Sequence, residues 1–445
     1  MNRGALLVGL GLALAAAGCT GAAGSAGPTA SPPPGTPTSP ATGGTGAPAS
    51  TPTPPGSGGA TPAVTASATP TASSPAVTAG SPSASPARTS VYADTGPGDV
   101  SRVAAAARPL VYVPNSVSNT VSVIDPATLK VVSRFPVGRE PQHVVPSWDL
   151  KTLFVNDDQS NDLVPIDPLT GRRGPALDVA DPYNLYFTPD GRHALVMAER
   201  LRRIDVRDPH TMRLQRSISV PCRGVNHADF TADGRFMLAS CEYSGELLVI
   251  PVDTLSRVTK VIDLNRVRTP GATSPQEAKR MGGPATLISP GVSAMPQDVR
   301  TTSDGASFVV ADMIRNGVWV IDAKTFTVTR FIPTGAGAHG IYPSRDATRL
   351  FVSNRDGASV SVLDATAQRV LTTWPLAAGA SPDMGGVSVD GTRLWLSGRY
   401  DSQVYVIDTR SGRTIATIPV GNGPHGLLVW PQPGQHSLGH TGNMR

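Results

Sequence analysis

Val111-Tyr112-Val113-Pro114-Asn115, followed by Ser118-Asn119-Thr120-Val121-Ser122-Val123-Ile124-Asp125, decides how this chain is read. Two short runs rich in β-branched residues, with polar turn residues between them, read as a pair of antiparallel strands. The first run returns as Leu153-Phe154-Val155, Ala194-Leu195-Val196, Met237-Leu238-Ala239, Phe308-Val309-Val310, Phe351-Val352 and Leu394-Trp395-Leu396. The second returns ending in Ile166-Asp167, Ile204-Asp205, Val252-Asp253, Ile321-Asp322, Leu363-Asp364 and Ile407-Asp408. The interval is about 42 residues, except for one that is longer by about 28. A third run follows, as in Val131-Val132-Ser133-Arg134-Phe135, and then a fourth. The fourth ends in a turn such as Pro189-Asp190-Gly191, Ala232-Asp233-Gly234, Ser303-Asp304-Gly305 or Val389-Asp390-Gly391. Four short strands per unit, repeated seven times, predict an all-β fold: a seven-bladed β-propeller of four-stranded antiparallel blades.

The aspartates at the end of the second runs mostly precede a Thr or Ser by three residues, as in Asp125 with Thr128 and Asp322 with Thr325. A short acceptor that closes its own turn gives these carboxylates a structural role, although they look like an array.

The units resemble the YVTN family of β-propeller repeats, also called YncE-like and found in bacterial lipoproteins, over about residues 108–430. The residues quoted above are close to the family's unit, and Phe135-Pro136-Val137-Gly138 and Ile418-Pro419-Val420-Gly421 match its blade ending. The resemblance implies the propeller fold. It implies no single function, because family members differ widely in role. The repeats begin at the second strand of a blade, so Pro424 to Trp430 is expected to supply the first strand of that blade and close the ring. Residues 106–430 are assigned to the propeller. An insertion at about 265–290 reads as a loop between blades four and five, with a short helix near Gln276 to Arg280.

Composition divides the rest of the 445 residues. Residues 1–91 contain no Phe, Trp or Tyr, and Arg88 is the one charge between Arg3 and Asp94. Such a stretch cannot bury enough apolar surface to offset a chain entropy of about 1–2 kcal/mol per residue. Residues 19–105 are therefore read as a disordered Pro/Ser/Thr/Ala/Gly-rich tether. Residues 1–18 read as a signal peptide, and Ala16-Ala17-Gly18-Cys19 resembles the bacterial lipobox, which makes Cys19 the lipidation site. The protein is expected to be exported and lipid-anchored to the outer face of the bacterial cytoplasmic membrane, touching the membrane through that anchor only.

Counting back from each Asp-Gly turn gives one residue per blade at the channel mouth: His143, Asn184, His227, Asp298, His339, Met384 and His425, with Asp383 beside Met384. Four of the eight histidines fall on this ring. The imidazoles of His143, His227, His339 and His425 offer ligands that suit copper or zinc, or they hold an anionic ligand. The competing reading is ordinary repeat consensus, with the rings packing on one another and binding nothing. Loops between second and third strands add Asp158, Glu199, Arg200, Glu242, Tyr243, Arg355, Arg399 and Tyr400 to the same face.

With Cys19 lipidated, Cys222 and Cys241 remain, both expected on that face in adjacent blades. A disulfide is the expected pairing; a soft metal site with His227 and free thiols are the alternatives. Residues 431–445 form a tail on the opposite face that either plugs the channel or hangs free. No P-loop, dinucleotide fingerprint, Gly-x-Ser-x-Gly elbow or His-Glu-x-x-His helix is present. The reading is a monomeric binding module whose partner is a protein or a small polar ligand, with no confident cofactor and no nucleic acid despite a net charge of +5. The alternative is a metal-dependent or redox enzyme using the histidine ring.

Overall fold

The computed structural model describes residues 90–268 and 288–445. The expected signal peptide, the expected lipidation site Cys19, the expected tether up to residue 89 and the helix expected near Gln276 to Arg280 lie outside them. Among the described residues no helix is long and apolar enough to cross a membrane.

Seven four-stranded antiparallel sheets form the ring. Blade 1 holds Leu110–Asn115, Thr120–Asp125 and Lys130–Pro136, and its innermost strand is Leu428–Trp430. The closing register pairs Leu110 with Trp430, Val111 with Val429 and Tyr112 with Leu428. The innermost strands of blades 2 to 7 are Pro141–Pro146, Asn184–Phe187, Val225–Phe230, Pro296–Thr301, Ala338–Pro343 and Pro382–Val387.

Inner and outer strands differ because stacked blades cover both faces of the inner ones. Leu350, Phe351, Val352 and Trp395 are buried in their strands, whereas Lys130–Pro136 is largely exposed. The second strands therefore read as short apolar runs, whereas outer strands such as Lys130–Pro136 mix apolar and charged residues. The blade turns use the expected chemistry. Thr231 donates through Oγ1 to Asp233 Oδ1 at 2.6 Å, and Gly234 follows at φ +69°, a region that suits glycine. Asp322 Oδ1 likewise accepts from the Thr325 amide at 2.7 Å.

Two assignments need correction. In blade 3 the turn carboxylate is Asp208, which accepts from the amides of His210 and Thr211 at 3.1 and 2.8 Å. Asp205 lies buried within the strand Arg203–Arg207 and pairs with Arg207 at 3.1 Å. The Ile-Asp match at 204–205 is thus three residues out of register, because a strand interior also tolerates Asp when Arg neutralises it. Residues 90–105, assigned to the tether, are packed against the ring. Val91 donates its amide to Ser303 O at 2.8 Å, Tyr92 donates its hydroxyl to Thr301 O at 2.7 Å, and Arg102–Ala105 forms a helical turn. Tyr92, the first aromatic residue, marks where enough apolar surface becomes available to hold the chain down.

Residues 431–445 fold back into the channel from the opposite face. Leu438 and His440 are buried, and His440 stacks on Tyr186 with ring centroids 6.1 Å apart. Gly439 sits at φ +100°, where a side chain would run into the backbone of Leu185 and Tyr186.

Candidate functional site

A register irregularity shapes the channel. In blade 5, Pro296 pairs with Asp312 and the next pair is Val299 with Val310, so Gln297 and Asp298 together oppose one residue. Blades 4, 6 and 7 carry the same β-bulge. A bulge turns two successive residues to a site where a regular strand would offer one.

The seven residues expected on one ring therefore occupy two layers. His143, Asn184, His227, Asp298 and Met384 hold the second bulge position or its equivalent. His339 and His425 hold the first, because the anchoring pairs are Ala338 with Asn354 and Pro424 with Asn115. Gly340 and Gly426 stand in the second position of those blades. A Cβ at Gly426 would lie 2.2 Å from the His143 ring, so its absence is what admits that imidazole. Met384 is buried with its amide on Ser397 Oγ and takes no part in either cluster.

In the upper layer His339, Asp383 and His425 lie together, all buried. Arg355 sits among them, with its Nη2 2.6 Å from Asp383 Oδ1 and in contact with His339 Nε2. His425 Nε2 is 3.6 Å from Asp383 Oδ2. The guanidinium occupies the cationic position of this cluster.

The lower layer joins His143 and His227 to His440, a residue of the tail that no repeat register predicts. One ring nitrogen from each lies within 4.8 Å of the others. His143 Nδ1 is 2.9 Å from the Tyr183 carbonyl oxygen, which only accepts, so Nδ1 carries the proton and Nε2 is bare. His227 Nδ1 donates in the same way to Asn226 Oδ1 at 3.0 Å. His440 Nδ1 is 3.0 Å from Asn184 Nδ2, and its Nε2 lies 3.7 Å from Asp298 Oδ1. The Nε2 atoms of all three are buried without a hydrogen-bond partner. Burial holds the imidazoles uncharged: it pushes His143 down to about 3 and His227 and His440 well below their ordinary value.

Above the layers a cavity of about 280 Å³ opens at the channel mouth. Asp158, Glu199 and Glu242 come from blades 2, 3 and 4, while Arg355 and Arg399 face them from blades 6 and 7. Tyr183, Tyr243 and Tyr400 complete the walls, and His339 and His425 belong to the floor. Burial, reinforced by Glu242, raises Glu199 well above the ordinary carboxylate value. Burial and the neighbouring Asp181 push Asp158 up to about 8, against the pull of Arg200. Tyr183 and Gln142, which line this cavity, went unrecognised in the repeat pattern, although each directly precedes a ring residue.

Cys222 and Cys241 are joined in a disulfide with their Cα atoms 6.0 Å apart. The sulfurs bind each other, so the arrangement with His227 as a thiolate metal site does not form. The bridge fixes the loop that carries Glu242 and Tyr243.

The sequence matches the YNCE-like beta-propeller family over residues 71–261 and 287–433. No curated protein matches the chain. Among solved structures, a functionally unknown protein from Desulfotomaculum acetoxidans superposes with a TM-score of 0.57 at 15% identity, over 73% of this chain and 100% of that one. The hydrazine synthase of Kuenenia stuttgartiensis gives 0.53 at 18% identity, over 68% and 94%. A dihydro-heme d1 dehydrogenase gives 0.52 at 15%, over 72% and 75%. At these identities the likeness is one of fold.

Proposed function

Because the chain belongs to the YNCE-like β-propeller family, whose fold specifies no ligand, we propose its function from the channel mouth: it binds a small polar ligand that carries both a cationic and an anionic group. The observation that carries this reading is the split of charge across one cavity, with Asp158, Glu199 and Glu242 on one wall, where Arg200 pairs with Asp158, and Arg355 and Arg399 on the other. Asp158 has Arg200 at 3.5 Å while Glu199 has no ion pair among the described residues, and burial drives both acids toward their neutral forms. A ligand's cationic end restores their charge, while its anionic end meets the guanidinium donors. Tyrosine walls supply apolar contact with polar tips. The volume suits a molecule of amino-acid or dipeptide size.

The site works outside the cytoplasm in this reading, on a protein anchored through Cys19 and held off the membrane by its tether. The Cys222–Cys241 disulfide supports an oxidising compartment.

Calorimetric titration of the full chain with amino acids, dipeptides, simple amines and simple carboxylates tests the proposal. Dipolar compounds are expected to bind tightest, with Glu199→Gln weakening the amines and Arg399→Gln weakening the carboxylates. Equal, weak binding of all four classes would sink it.

A further inference from the structure

We infer that His143, His227 and His440 form a transition-metal site in the lower layer of the channel, with Asp298 beside it and zinc or copper as the ion. It lies beneath the proposed ligand cavity and does not depend on it.

The geometry carries the inference. Three buried imidazoles converge from blade 2, blade 4 and the tail, with one nitrogen of each within 4.8 Å of the others. A tetrahedral ion with bonds of about 2.0–2.1 Å holds its ligand nitrogens about 3.3 Å apart, a contraction that side-chain torsions provide. Three buried nitrogens without a hydrogen-bond partner are an anomaly in a folded interior, and a metal ion removes it.

The outer partners point the same way. The Tyr183 carbonyl and Asn226 Oδ1 each hold an Nδ1 proton, which orients Nε2 of His143 and His227 as a lone-pair donor. Metal-bound histidines are ordinarily fixed by such a bond on the far nitrogen. His440 differs: Asn184 Nδ2 faces its Nδ1 at 3.0 Å while Asn184 Oδ1 accepts from the Leu185 amide at 2.9 Å, so His440 joins the set by a turn of the Asn184 amide that gives up that backbone bond. Asp298 Oδ1, 3.7 Å from His440 Nε2, then provides a negative charge beside the ion. Three imidazoles with one carboxylate suit zinc or copper better than magnesium or calcium, which prefer oxygen.

The upper cluster shows the contrast. His339, Asp383 and His425 also converge, but Arg355 lies 2.6 Å from Asp383 and against His339. A cation is already built into that cluster. In the lower one Arg300 pairs with Asp298 Oδ2 at 3.7 Å, but no guanidinium is hydrogen-bonded to any of the three ring Nε2 atoms.

The full chain, stripped with chelator and then given zinc or copper alone, tests the inference by elemental analysis, calorimetry and X-ray absorption. One ion per chain with imidazole scattering is expected. His440→Ala and His227→Ala should each lower affinity by at least about 100-fold. His436→Ala, in the same tail, and the pair His339→Ala with His425→Ala should leave it unchanged. Absence of a bound ion in the wild-type protein at excess metal would overturn the site. So would full retention in folded His440→Ala, or loss of the ion in the His339 and His425 pair. The wild-type stoichiometry decides even where a variant fails to fold, and ligand titration of the metal-free protein judges the cavity separately.

Discussion

Arg445 places its Nη2 3.0 Å from Oδ1 and 3.2 Å from Oδ2 of Asp229, a fully buried carboxylate in the first strand of blade 4. Asn443 Nδ2, the Thr301 amide and the Phe230 amide also donate to Asp229, and the Tyr92 ring faces the guanidinium with its centroid 5.0 Å away. The tail, the segment before blade 1 and two blades thus meet at one ion pair. Removing one partner of such a pair leaves a buried charge, at a cost of about 3 kcal/mol.

Arg445→Met is accordingly expected to lower the unfolding free energy from urea titration by that amount, while Arg445→Met combined with Asp229→Asn recovers most of the loss. A single variant as stable as the wild type in urea titration would show that the pair carries no stability.

Reduction of the Cys222–Cys241 bridge, or Cys222→Ser with Cys241→Ser, should cost about 3 kcal/mol, the loop-closure value for residues separated by 19 positions. Because the bridge holds the Glu242 loop, the same change is expected to weaken dipolar ligands more than simple carboxylates. Paired melting and titration curves with and without reductant check both effects.

Asp157 gives a stability profile with a definite sign. Burial pushes its carboxyl up to about 8 despite an amide bond from Gly138. Its folded value lies above its unfolded one, so the folded state holds the extra proton between about pH 4 and 8. Stability from this group is present at low pH and is lost as pH rises through 8. Asp157→Asn should therefore melt progressively higher relative to wild type between about pH 4 and 8 and hold a constant margin above that, and parallel curves would refute the assignment.

Ligand binding should be linked to protons as well. Asp158 titrates near 8 and faces Asp181, Arg200, Glu140 and Glu199. A bound cation favours its charged form, so proton release accompanies binding below that pH. Affinity for the amine end is expected to rise with pH by up to about tenfold per unit for each proton released. Calorimetry in buffers of different ionisation enthalpy counts those protons; a count of zero at pH 7 would contradict the cavity reading.

The fold was legible because each blade repeats one strand pair and one turn, and Val111 to Asp125 already contains both. The closing strand followed from the blade that opens one strand short. Site positions were less legible, because a bulge adds a residue without changing the turn spacing. Counting back from the turns reached His143 and His227 but mixed layers at His339 and His425, where Gly340 and Gly426 take the deeper place. Asp205 was misread for a related reason, since the Ile-Asp pair carries no mark of whether Arg neutralises it within a strand. His440 has no counterpart in any blade. Only the path of the tail, packed around Gly439, brings it to the channel.

The pairing of Leu110 with Trp430 also sets a timetable. Leu110–Asn115 emerges from the ribosome early and stays without its inner neighbour until about 300 further residues have been made, a loop closure that late contacts must offset. The ring is therefore closed by a strand that is made late, and His440 is made ten residues after that strand's Trp430. Until then the histidines of blades 2 and 4 face an open interior. A chain that crosses a membrane unfolded loses nothing by this schedule, whereas one that folded during synthesis would wait throughout with an unpaired edge in blade 1.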